Sequence, residues 1–243
     1  MAEKMLTAVA TWGFKRVVVL ALLTASSGFS TTIAYDVAVR ITGNQAYFGS
    51  LGVDFQVLDP IEVTEIGVFS NNAFGHLTAA PRTDLNAAIF SIASFTATSG
   101  AIIAPTEVSF LTSTTYLVTD DWLFQNITPF ELLPGFYTIV AQGYNALEKN
   151  GNNGVAPLPL SLENTGGGLI TFGGVSRFGS VPRSLPNPVT FPKTRDTGPS
   201  NRYYAGDFQF SAVPSAVPEP ASLTLFGGGL AGLCLMLRRR REV

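Results

Sequence analysis

A single histidine, His76, is present among the 243 residues, so any imidazole-dependent chemistry must pass through it. A zinc site built on histidines, a nucleophilic triad or a His-paired cysteine cannot form without that one side chain. It lies between Ser70 and Asp84, a stretch with Asn71, Asn72, Gly75 and Pro81 and no periodicity, and it reads as an exposed loop histidine without a partner. Asp120 and Asp121, next to Trp122, are the candidate ligand contact: two acids flanking an aromatic platform suit a sugar ring or a Ca²⁺ ion. Two adjacent aspartates fall short of the six to eight oxygens calcium takes, so no metal is expected, and the competing reading is a turn followed by a core tryptophan. Glu62 with Glu65, or Asp54 with Asp59, could serve as the paired acids of a glycosidase, which must flank a cleft about 5 to 9.5 Å apart. Spacing along a strand does not establish such a pair, and these acids are read as solvated faces and turn residues. No catalytic residue, enzymatic activity or cofactor is expected.

The elements that would position these residues are strands. In Gly49 to Val57 the apolar residues Leu51, Val53, Phe55 and Val57 alternate with Gly52, Asp54 and Gln56, the period of a half-buried strand. Asp59-Pro60 signals a turn, and Ile61 to Phe69 resumes as a strand whose apolar parity slips between Val63 and Ile66, as a bulge would make it. Leu85 to Phe95, part of Glu107 to Val118, and Trp122 to Ile127 follow as further strands. Pro134-Gly135 gives a turn signal before Phe136 to Tyr144, which is apolar enough to be buried on both faces.

From Asn145 to Arg202 the chain is dense in Gly, Pro and Asn, with only Leu169 to Val175 strand-like. This long segment holds Arg177, Arg183, Lys193, Arg195 and Arg202, expected to be a solvated basic loop or a contact for acidic polysaccharide. Tyr203 to Phe210 closes the domain with a clean alternation. Nowhere in this part is a helical period sustained. Short strands separated by Gly, Pro, Asn and Asp turns predict an all-β fold, an antiparallel, jelly-roll-like β-sandwich over residues 35–212.

Both ends of the chain carry targeting features. At the front, Lys4, Lys15 and Arg16 precede a short apolar run, Val17 to Leu23, and a small-residue stretch, Thr24 to Ala34; this is the pattern of a secretory signal peptide over residues 1–34. Its cut falls after Ala34, with Thr32 and Ala34 at the small-residue positions, or earlier, near Gly28. At the back, a linker over 213–220 ends in Val217, Pro218, Glu219 and Pro220. An uncharged run of 17 residues then spans 221–237, and Arg238, Arg239, Arg240 and Arg241 follow within the basic tail 238–243. As a helix the run is about 25 Å long, the short end of what crosses a bilayer core, and the four arginines place its end in the cytoplasm. The simplest reading is a C-terminal transmembrane helix.

Taken jointly, Pro218-Glu219-Pro220, the short Gly-rich span and the Arg cluster resemble the PEP-CTERM sorting signal of Gram-negative bacteria. That resemblance implies recognition by an exosortase, a membrane protease that cuts near the motif and passes the protein to the cell surface. It covers the tail only. The order LGVDFQV, IEVTEIGVF, LLPGFYTIVAQ, ITFGG and YYAGDFQF also resembles a sandwich domain of PEP-CTERM proteins, to which no activity is attached.

Composition narrows the partners. Between Tyr35 and Pro220 eight basic side chains face 15 acidic ones, a net charge of −7 against −2 for the whole chain. An acidic exported domain is not built to neutralise phosphates, so no nucleic acid is expected as a partner. The only cysteine, Cys234, lies in the apolar run, which leaves the exported part without disulfides. The expected protein is non-enzymatic and structural or adhesive. It is exported through the Sec translocon and signal peptidase, held at the inner membrane by its C-terminal helix, and sorted by exosortase to the cell surface or extracellular matrix. The alternative is a carbohydrate-binding module for exopolysaccharide.

Overall fold

A computed structural model describes residues 30–36, 41–73, 75–155, 162–180 and 188–213. Most of the expected signal segment, the linker with Val217 to Pro220, the apolar run and Arg238 to Arg241 lie outside the described residues. Eight longer strands build the domain: β1 Ser50–Val57, β2 Ile61–Phe69, β3 Leu85–Ile92, β4 Tyr116–Thr119, β5 Trp122–Leu132, β6 Gly135–Gln142, β7 Ile170–Gly179 and β8 Gly206–Ala212. They form two antiparallel sheets, in the orders β7-β1-β6-β3 and β8-β2-β5-β4, extended at their edges by short strands. Strands β1 and β2, β3 and β4, β5 and β6, and β7 and β8 fall in opposite sheets, whereas β4 and β5 pair as a hairpin and β6 and β7 share a sheet. The turns at Asp59-Pro60 and Leu133-Pro134 therefore carry the chain across the sandwich instead of folding a hairpin within one sheet. The fold is a row of four arches, β3/β4, β6/β5, β1/β2 and β7/β8. This corrects the jelly-roll expectation, because a jelly roll makes its first and last long strands neighbours, whereas β1 and β8 lie in opposite sheets.

Alternation accounts for the central layer. Leu51, Val53, Phe55 and Val57 of β1 meet Ile61, Val63, Ile66 and Val68 of β2, Ile139 of β6, Leu123 of β5 and Phe208 and Phe210 of β8 in one fully buried cluster. Each such side chain withdrawn from water contributes about 1.5–3 kcal/mol. The parity slip in β2 is a bulge: Val63 stands opposite Phe210 and Glu65 opposite Gln209, so Thr64 is the extra residue.

Both outer faces are covered as well. Tyr35, Ile41, Phe69, Trp122, Phe124 and Tyr204 form a second cluster, and Ala88, Phe90, Ile92, Val140, Val189 and Phe191 a third. Tyr35 and Ile41, which precede β1, lie over one sheet, and Val189 and Phe191 over the other. The stretch expected to be a long loop is thus partly strand and partly lid. β7 runs on to Gly179 through a register shift between Phe172 and Ser176, where Gly174 takes a positive φ of 67°. Among the described residues no helix is long and apolar enough to cross a membrane.

Candidate functional site

The structure does not present Trp122 as a platform. Its side chain is fully buried, edge-on to Phe69 at 5.9 Å and to Tyr35 at 6.4 Å between ring centroids. Asp121 is buried too, and its Oδ2 accepts the Ile41 amide at 2.9 Å, pinning the segment that covers Trp122. Asp120 sits at the turn with a positive φ of 55°. Strand parity aims Trp122 at the outer face of its sheet, and Tyr35 and Ile41 then close over it. The expected ligand contact of Trp122, Asp120 and Asp121 is therefore a structural anchor, with two of its three members inside.

The carboxylates divide in the same way. Asp54, read as solvated, is fully buried opposite Arg177, whose Nε donates to Oδ1 and Oδ2 at 2.7 and 2.9 Å. The remaining guanidinium nitrogens donate to the carbonyls of Ala97 and Phe95, and the Phe191 ring lies 5.4 Å from the guanidinium carbon. Arg177 is accordingly no solvated loop cation. Glu148, which no sequence pattern singled out, is buried and accepts the Asn71 and Arg82 amides at 2.6 Å each and the Ser70 hydroxyl at 3.2 Å. Burial pushes its carboxyl above the usual range against the pull of these donors. Glu62 lies opposite Glu131 in the neighbouring strand, and the bulge at Thr64 separates it from Glu65. His76 is exposed, as expected of a loop histidine. Among the described residues no group of three or more His, Cys, Asp or Glu side chains is placed to hold a metal.

Aromatic and polar groups do converge in one cleft, at a different place. Gln45, Tyr47, Leu51, Phe178, Asp196, Arg202 and Tyr203 line a space of about 300 Å³. Tyr47 precedes β1, Phe178 is the next-to-last residue of β7, and Asp196 to Tyr203 return from the long segment toward β8. Arg202 is held in place: Nη1 donates to Asp196 Oδ2 and Nε to Asn152 Oδ1, each at 2.7 Å, and its guanidinium carbon lies 5.4 Å from the Tyr203 ring centroid. The Tyr47 hydroxyl donates to the Gly179 carbonyl at 3.1 Å. Burial tends to raise the Asp196 carboxyl, but hydrogen bonds from Tyr203, the Gly198 amide and Arg202 outweigh it and hold it below the usual range. Burial, and then Asp196, push the Tyr203 hydroxyl well up. The cleft combines half-exposed rings with a fixed guanidinium and a neighbouring carboxylate, groups that can stack on a sugar face and bond its hydroxyls.

The described domain, with its two facing antiparallel sheets, is an all-β sandwich. Residues 216–241 match the family model described as the PEP-CTERM protein-sorting motif. The chain is therefore an exported protein that carries a PEP-CTERM sorting tail, with exosortase as its processing partner. No curated protein matches the chain.

Proposed function

We propose that the sandwich serves a non-enzymatic, structural or adhesive role at the cell surface or in the extracellular matrix, where exosortase delivers it. The observation that carries this reading is the match of residues 216–241 to the sorting motif. The domain's own chemistry agrees with it, since Asp54, Arg177, Asp121 and Glu148 are each bonded inside the fold. Export begins at the signal peptide through the Sec translocon. The run 221–237 holds the intermediate in the inner membrane, with Arg238 to Arg241 on the cytoplasmic side, until the tail is cut near Val217 to Pro220.

A second reading, a carbohydrate-binding module for exopolysaccharide, is favoured by the cleft at Tyr47 and Phe178 and no longer by Trp122. Binding of the full-length chain to polysaccharide from the producing cell, followed by affinity electrophoresis, tests it. Tyr47→Ala and Phe178→Ala should each weaken retardation about tenfold or more, since stacked rings supply on the order of 1 kcal/mol or more of contact energy. Retardation unchanged in both variants would leave the structural role alone.

A further inference from the structure

We infer that the export signal is removed after Gly28, upstream of Thr32, so that residues 32–35 belong to the mature folded domain. The inference rests on reading the front of the chain as a secretory signal. The bond after Ala34, preceded by Thr32, and the bond after Gly28, preceded by Ser26, both satisfy the small-residue spacing that signal peptidase reads. The two products differ in what they can fold into.

Thr32–Ile33 is an edge strand on β8, with Thr32 opposite Phe210 and Ile33 opposite Gln209. Ala34 is fully buried in the central cluster. Its amide donates to the Phe208 carbonyl at 3.0 Å, and its own carbonyl accepts the Asn164 amide at 3.0 Å. The Tyr35 amide, also buried, donates to Asp207 Oδ1 at 2.9 Å, and the Tyr35 hydroxyl donates to the Asn201 carbonyl. The Tyr35 ring packs against Tyr204, Phe172 and Trp122, with centroids 5.6, 5.8 and 6.4 Å away.

A cut after Ala34 would strip the edge strand from β8 and leave the buried Phe208 carbonyl without this donor. The bared edge of β8 would become a template for pairing with other chains. A cut after Gly28 keeps every one of these contacts. Three residues of the mature chain would then precede the edge strand that begins at Thr32.

The N-terminal peptide of the exported protein, produced from the full chain and read by mass spectrometry, tests the assignment. The expected first residue is Phe29. A first residue of Tyr35, or any start beyond Thr32, would overturn the inference. A chain still beginning at Met1 would instead remove the signal reading beneath it, so the two failures are distinct. A pair of variants gives an independent check. Gly28→Trp should accumulate precursor, because a bulky residue is refused at the last position of the signal. Thr32→Tyr, which suits an edge strand, should mature at the wild-type rate. Precursor accumulating in Thr32→Tyr but not in Gly28→Trp would place the cut after Ala34 and contradict the assignment.

Discussion

Buried charge decides more of this domain than its exposed acids do. Arg177 has its guanidinium satisfied by Asp54 and two carbonyls, so removing it leaves a carboxylate in the interior without its cation. Arg177→Met should lower unfolding free energy by about 3–5 kcal/mol in urea titration, while Arg177→Met combined with Asp54→Leu should recover most of that loss. Equal losses in the single and double variants would show that packing against Phe191, not charge, is what matters. Glu148 offers a pH test with a definite sign. Its folded pKa is raised by burial above the ordinary 4.5, so the folded state binds its proton more tightly than the unfolded chain does. The stability it contributes is fully present below the ordinary value and is lost as pH rises through the raised one. Glu148→Gln loses an acceptor, at a cost of about 1–3 kcal/mol. It should also flatten the decline in urea midpoint above pH 4.5; a variant with the wild-type slope would contradict the assignment.

Elements were legible where the sequence pattern is local. The alternation in β1, the bounds of β2 and the bulge implied by the slip between Val63 and Ile66 all stand in the structure, because a strand's two faces are set by period alone. What local pattern could not reveal was which strands share a sheet, since a tight turn serves a hairpin and an arch equally. β5 runs on past Pro129 to Leu132, where the irregular register between Asn126 and Phe130 accommodates the proline. β7 outlasts the expected Val175 because Gly174 absorbs a positive φ and lets pairing resume at Ser176. Gly174→Ala should therefore cost about 1–2 kcal/mol, and Gly174→Asn less, since asparagine tolerates the left-handed region. Thermal unfolding of the two variants checks the order, and an unaffected alanine variant would contradict it.

At the scale of the whole molecule, burial of the outer faces explains why the candidate site was misplaced. Whether Trp122 is a platform or a core residue depends on Tyr35 and Ile41 folding back over it from some 80 residues away, a separation of the kind that binds Ile41 to Asp121. Asp54 and Arg177 are 123 residues apart, and no spacing rule links them. The cleft draws on three separated stretches, around Tyr47, Phe178 and Asp196 to Tyr203, so its only trace in the sequence was a scatter of tyrosines. The tail, by contrast, is a contiguous signal, read from its own residues and matched as such. Glu219→Ala should leave unprocessed protein in the inner membrane, detected by fractionation and immunoblot, and normal release of that variant would contradict exosortase-dependent sorting. The most direct test of that central claim is the intact mass of the wild-type protein recovered from outside its native cell, set against the membrane fraction. The expected result is an extracellular species ending within Val217 to Pro220, while full-length protein found only in membranes would contradict it.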